Sequence, residues 1–399
     1  MSYEVAVVRC PTYDEAQVRD AVASALAPLG GIAGVVQPGQ RVLLKLNLLS
    51  AHPPEAAVTT HPAVVKAVVR EVQARGAVAI VGDSPGGVLS DAQYRALLET
   101  TGIWQVIEET GCEWVNFNAV TEYSAEHARV FKRLPIATAA LEADVIIGLP
   151  RLKTHQFMYY TGAVKLLYGY LPGVAKAEYH LHAGKRRETF ADLLLDIHDT
   201  LPPALTVMDA VVGMEGNGPT HGTPRQVGLV LAGRSCTALD FVMAHLIGLD
   251  PPAVPTVRMA MRRGSGPERL DEITVFGEDP AAVRVRDFRP AKTVRGAGMP
   301  VWLAECSAWL FSAWPEIDKD ACKRCGHCRE HCPPQAMAQH GGGTPRIDLA
   351  ACLRCYCCHE LCPHDAVRIA GPRLRFPAGF GTWLYGKMSR IRALMKRKH

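Results

Sequence analysis

Eight cysteines toward the end of the chain have the spacing to hold an inorganic cluster. Cys322, Cys325, Cys328 and Cys332, followed by Pro333, recur thirty residues later as Cys352, Cys355, Cys358 and Cys362, followed by Pro363. Ile317 and Asp318 recur at the same offset as Ile347 and Asp348. Each copy reads Cys-x2-Cys-x2-Cys-x3-Cys-Pro. Three thiolates two residues apart wrap one face of a small iron–sulfur cubane, because the short loop turns each sulfur inward. The proline after the fourth cysteine turns the chain away. In runs of this kind the fourth cysteine ligates the other cluster. The expectation is two [4Fe–4S] clusters, one on Cys322, Cys325, Cys328 and Cys362, the other on Cys352, Cys355, Cys358 and Cys332. Zinc ribbons use paired Cys-x2-Cys units separated by a spacer, a different layout. Disulfides suit secreted chains, and the first residues here lack a signal-peptide pattern. Cys357 breaks the x2 spacing and reads as a bystander beside Cys358. Cys10, Cys112, Cys236 and Cys306 lack ligand spacing and read as small buried apolar residues.

A second set of polar residues lies upstream, where apolar runs stop. The strand Val42–Leu46 leads through Lys45 into Asn47. The strand Ala77–Val81 leads into Gly82, Asp83, Ser84, Pro85, Gly86 and Gly87. The strand Asp144–Leu149 leads into Arg151, Leu152, Lys153, Thr154 and His155. Leu205–Met208 leads into Asp209, then Glu215, Gly216, Asn217 and His221. Between these strands fall helical stretches. Asp14 to Leu26 is one, and a second has Pro62 at its first position and a stripe at valines 64, 65, 68, 69 and 72. A third opens on a capping box at Ser90 and Gln93. Thr237 to Ile247 is a further helix, and Val227–Ala232 and Ile273–Phe276 read as strands. Alternating strands and helices predict parallel crossovers, hence an α/β fold with a mostly parallel sheet covered on both faces. In such sheets ligands sit at the carboxyl ends of the strands, where all four polar stretches begin.

The cysteine region, about 55 residues long, resembles a bacterial two-cluster ferredoxin, down to Cys-Pro-Pro-x-Ala-Met at Cys332–Met337 and Cys-Pro-x-x-Ala-Val at Cys362–Val367. That resemblance implies low-potential, one-electron transfer. The four upstream stretches together resemble the domain-of-unknown-function 362 family over about residues 40–250. The resemblance rests on Lys45-Leu46-Asn47, Gly82-Asp83-Ser84-Pro85-Gly86, Lys153-Thr154-His155 with Gly162 to Lys165, and Asp209 to Gly218 with Asp240. Leu46 stands where the family usually has proline, Leu166 where asparagine commonly follows the lysine, and Ser235 where an acid is frequent. The organisation expected is an α/β domain over 1–300, a linker helix over 301–316, a two-cluster domain over 317–371 and a basic tail over 372–399.

Composition narrows the function. The chain has 399 residues, 48% hydrophobic and 21% charged, as in ordinary globular proteins, and no apolar run long enough to span a membrane. Thirteen cysteines without a secretory pattern suit a reducing, cytoplasmic setting. The formal charge of +5 comes from residues 372–399, where eight basic residues meet no acid, so the rest is slightly acidic and nucleic acid is not an expected partner. That tail, with Phe376, Phe380 and Trp383 ahead of most of its basic residues, is compatible with peripheral contact to an anionic membrane or a redox partner, or with a solvated tail. The expected function is a reductase passing electrons from the clusters to a small anionic substrate or a second cofactor. Lys45, Arg151 and Lys153 would neutralise the anion, and Lys165 would join the residues that bind the cofactor. Asn47, Ser84, Gly86, Gly87 and Asn217 would supply polar contacts, and His155 or His221 the protons. Asp83, Asp209 and Glu215 with His221 would alternatively hold a divalent metal. No flavin or nicotinamide fingerprint is present. The other class of function is a non-catalytic electron-transfer or cluster-delivery module docking on a partner enzyme.

Overall fold

The structure, a computed structural model, describes residues 3–86, 89–293 and 313–370. Gly87, Cys306 and the tail 372–399 lie outside the described residues, as does most of the expected linker helix.

Twelve strands build the body: β1 (Tyr3–Arg9), β2 (Arg41–Leu46), β3 (Val78–Asp83), β4 (Glu113–Asn116), the hairpin β5 (Val120–Ser124) and β6 (Arg133–Ala137), β7 (Val145–Leu149), β8 (Arg151–His155), β9 (Tyr159–Thr161), β10 (Leu205–Glu215), β11 (Thr223–Gly233) and β12 (Ile273–Gly277). Ten of them, all but the hairpin, form one sheet in the order β12-β1-β11-β10-β7-β2-β3-β4, with β8 pairing β10 and β9. The run β10-β7-β2-β3-β4 is parallel throughout. β11 runs antiparallel to both its neighbours, so the sheet is mixed but mostly parallel, an α/β fold.

Helices cover both faces. On one face pack Glu15–Leu26, capped by the Asp14 carboxylate accepting from the Gln17 N–H, and Pro62–Ala74, whose valines 64, 65, 68, 69 and 72 are buried. Asp91–Thr100 joins them through the reciprocal Ser90–Gln93 capping box. On the other face lie Arg187–Thr200, Cys236–Leu246 and Pro255–Arg263 around Phe190, Leu194 and Phe241. An apolar core fills each side of the sheet.

Two segments differ from the sequence reading, for one reason. Arg151–His155 is not a polar loop but strand β8, and Asp209 lies inside β10 rather than after a strand. β10 is eleven residues long and outruns β7, so the chain leaving β7 re-pairs with it, Asp209 opposite Arg151 and Met214 opposite Lys153. Period-two geometry then puts Arg151, Lys153 and His155 on one face of β8.

Residues 313–370 form a small C-terminal unit. β13 (Trp314–Ile317) pairs with β16 (Val367–Ala370), and β14 (Met337–Ala338) pairs with β15 (Arg346–Ile347). Trp314–Glu316 therefore does not continue the linker helix expected over 301–316. Its backbone hydrogen bonds go to the far end of the unit instead. Two short helices, His327–Glu330 and Cys357–Glu360, each follow a Cys-x2-Cys loop.

Candidate active site

The thirty-residue repeat reappears in the backbone. Arg324 and Arg354, Gly326 and Tyr356, and Gln335 and Asp365 all take positive φ, in pairs thirty residues apart. These left-handed turns curl each loop around its sulfurs. Backbone N–H groups of Arg324, Arg354 and Ala366 donate to the sulfurs of Cys322, Cys352 and Cys362 at 3.3–3.4 Å. The thiols fall into two groups. Cys328 is pushed up by burial and then by Cys362, Cys322 and Cys325, which with it line a small cavity. Cys358 is pushed up by burial and then chiefly by Cys355, Cys352 and Cys332. Four converging cysteines with inward N–H donors fit a cubane cluster in each group, whose positive charge would favour the thiolate ligands.

Against the second group lies a cavity of about 150 Å³. The ends of β2 and β3 give it Lys45, Asn47, Asp83 and Ser84, and the middle of β8 gives it Lys153. Helix Gly173–Ala183 adds Lys176 and His180, four residues apart and so on one face. Its fourth wall is the C-terminal unit, through His331, Cys357, Glu360 and Leu361. Gly86 touches that wall, since a Cβ there would come within 2.8 Å of Leu361 Cδ2.

Four lysines, 45, 153, 165 and 176, face two carboxylates. Lys45 Nζ donates to Asp83 Oδ1 at 2.5 Å and to its neighbour's carbonyl, Leu46 O. Asp83 also accepts from the Leu48 and Ser84 N–H groups, so it is fully engaged. Burial pulls Lys45 below its ordinary value despite that partner. Lys153 Nζ donates to Val58 O at 2.7 Å; burial, with Lys165 and Arg151 nearby, brings it down to about 7. Lys176 donates to Ser84 O and Pro85 O, and burial brings it to about 7 as well. Lys165 is lowered by burial, with Glu360 opposing. One polar atom in the wall lacks a partner among the described residues. Asn47 Oδ1 is buried without a hydrogen bond, and His180 is stacked on Phe190 at 4.2 Å, its burial holding it near 3 and hence neutral. A site with excess positive charge suits a small anion.

Several residues expected in one site are separated. His155 does not line the cavity. Its Nδ1 accepts from the Phe157 and Met158 N–H groups, so its Nε2–H donates to Glu360 Oε1 at 3.0 Å. Burial holds His155 down to about 4. For Glu360, burial pushes the carboxyl up, but His155 and Lys165 outweigh it and hold the group at about 2. His155 thus fastens the C-terminal unit rather than presenting a free proton. Arg151 touches the cavity, but its guanidinium is spent on Val212 O, Thr59 O and Asp209. Asp209 accepts from the Tyr13 hydroxyl and the His61 N–H, and Glu215 pairs with Arg289. Asp83, Asp209, Glu215 and His221 therefore do not converge on a metal, each acid having other partners. Asn217 Oδ1 accepts from Gln156, and Asn217 O faces His359. Sequence reasoning missed Lys176, His180, Tyr168 and Glu360. The Lys176-x3-His180 spacing was the one legible signal. Cys357 opens on the cavity and hydrogen-bonds Cys355, so it stands between a cluster-type thiol and the site.

The family described as domain of unknown function DUF362 matches residues 42–245, which supply every wall of the cavity except the C-terminal unit. The thylakoid-associated protein sll1697 of Synechocystis sp. (strain ATCC 27184 / PCC 6803 / Kazusa) is 36% identical over 272 residues, 67% of this chain and 81% of its own length. Among solved structures, the lactate racemase apoprotein of Thermoanaerobacterium thermosaccharolyticum aligns over 58% of this chain and 54% of its own, with a TM-score of 0.38 and 12% identity. A Thermotoga maritima protein from structural genomics aligns over 57% of each chain, with a TM-score of 0.35 and 12% identity. The chain thus spans little more than half of either solved chain. With half its length matched and a relative this similar over two thirds of it, the chain belongs to the DUF362 family.

Proposed function

We propose that this chain is an iron–sulfur oxidoreductase that reduces a small anionic substrate in the lysine-lined cavity. One observation carries the reading: Cys357, Glu360 and Leu361, which flank cluster-type cysteines, form a wall of the same cavity as Lys45, Lys153 and Lys176. Cys322, Cys325, Cys328 and Cys362 would hold one [4Fe–4S] cluster, and Cys332, Cys352, Cys355 and Cys358 the other. Bound clusters of this type supply single electrons, and adding electrons to carbon or oxygen requires protons alongside. Lys153 and Lys176 meet that need, since an amine near 7 both attracts an anion and releases a proton at neutral pH. Asp83 fixes the Lys45 amine, and neutral His180 offers a further hydrogen bond. Burial of Lys45 and Lys153 strengthens their interactions with an anion.

The alternative, a docking platform for a partner enzyme, is less well supported for this crevice, because Lys45 is 1% and Lys153 2% exposed and a protein surface cannot reach them. A redox partner is better placed at the other thiol group, where Cys325 is exposed. We propose a cytoplasmic protein. The name of the cyanobacterial relative points to membrane association, and the basic tail 372–399 would supply such contact peripherally. No helix among the described residues is long and apolar enough to cross a membrane.

The test is reoxidation of the anaerobically reduced, cluster-replete chain by a panel of small carboxylates and phosphates, followed by visible absorbance. One anion class should reoxidise the chain. Lys153→Ala and His180→Ala should each slow that step at least ~10-fold with iron content unchanged. Unchanged rates in both variants would refute the reading.

A further inference from the structure

A second cluster of ligating side chains lies outside the cavity, where the segment after β10 meets the C-terminal unit. One nitrogen each from His221 and His359 and one oxygen from Asp365 lie within 4.8 Å of one another. The two rings are 5.1 Å apart, and His221 Nδ1 is 3.4 Å from Asp365 Oδ1. None of the three lines the cavity.

Protein groups alone leave this trio badly satisfied. His221 Nε2 is buried without a hydrogen-bond partner, in a side chain 10% exposed. His359, 0% exposed, has a carbonyl oxygen against each ring nitrogen, Val367 O at 2.5 Å from Nδ1 and Asn217 O at 3.3 Å from Nε2. A neutral imidazole has one N–H and satisfies one of these. The shorter contact takes it, which leaves the Nε2 lone pair facing an oxygen lone pair. A cation held by Nε2 of both rings would remove both conflicts.

We propose that His221, His359 and Asp365 bind a divalent transition metal, of the zinc or ferrous class, that clips the C-terminal unit to the body. Two imidazoles and a carboxylate favour such ions over magnesium or calcium, which prefer all-oxygen sites. Three protein ligands leave a position for water. Ligand atoms around a tetrahedral ion stand about 3.4 Å apart, so the trio must close slightly. Asp365, with a side chain 62% exposed, is free to move in. His359 sits beside Cys358 and Asp365 three residues past Cys362, so the ion would stiffen the segment that carries both cysteines. The site does not depend on the reaction proposed above.

The experiment is equilibrium dialysis of the anaerobic, cluster-replete chain against zinc buffered by a chelator, with metal and sulfide analysis. About one zinc per chain should bind with iron and sulfide unchanged. His221→Ala and Asp365→Ala should each weaken zinc binding at least ~10-fold at unchanged iron content. Zinc should also raise the unfolding temperature of the parent chain but not of Asp365→Ala, whose exposed side chain is not needed for folding. Absence of zinc binding, equal retention in both variants, or uptake only as iron is lost would overturn the site.

Discussion

At the scale of single residues, the cavity is governed by burial of charge. Lys153 and Lys176 ordinarily titrate near 10.5, and burial brings both to about 7. Between those values the unfolded chain binds more protons than the folded one, so stability rises with pH across about 7 to 10.5. Anion binding should move the opposite way, because it needs the protonated amines. Affinity for inorganic phosphate or a small carboxylate, measured by calorimetry, should be high below about pH 7 and fall as pH rises through it. Lys153→Met should flatten that profile, whereas an affinity independent of pH between about 6 and 9 would mean that these amines do not face the ligand. The same scale shows what the sequence hid. Lys153 was legible at the end of an apolar run, but His155, two residues on, looked equivalent. Only tertiary contacts reveal that its nitrogens are already used by Phe157, Met158 and Glu360.

At the scale of elements, strands and helices were legible where one periodicity dominated. The valine stripe of Pro62–Ala74 and the capping box at Ser90 are local signals, and the structure has both. β8 was not legible, because its five residues are mostly polar yet wholly buried, and polarity in a short segment reads as a loop. Its strand character comes from β10, a long-range partner. The turn Leu167–Tyr170 was invisible for a similar reason. Gly169 there lies so close to Lys45 Nζ and Asp83 Oδ1 that a Cβ would collide with both. Gly169→Ala should therefore cost about 1–3 kcal/mol by thermal or denaturant unfolding and weaken anion binding as Lys45 is displaced. A neutral substitution would show that this turn has room to retreat.

At the scale of the whole molecule, one feature joins the parts. The C-terminal unit is not a separate bead on a linker. His155–Glu360, Lys185 to Ala350 O at 3.0 Å and Gly86 against Leu361 set its second cysteine group over the strand ends. The cysteine repeat, with its thirty-residue offset, was legible from the sequence, as was the α/β fold. That the two share a cavity was not, because no local pattern records which surface of the unit faces the body. The most direct measurement is the iron, acid-labile sulfide and zinc content of anaerobically purified chain, with paramagnetic resonance after dithionite reduction. About eight iron and about eight sulfide per chain, with the broadened signal of two interacting reduced clusters, are expected. Cysteine groups filled by zinc, or protein lacking sulfide, would contradict the redox reading at its base.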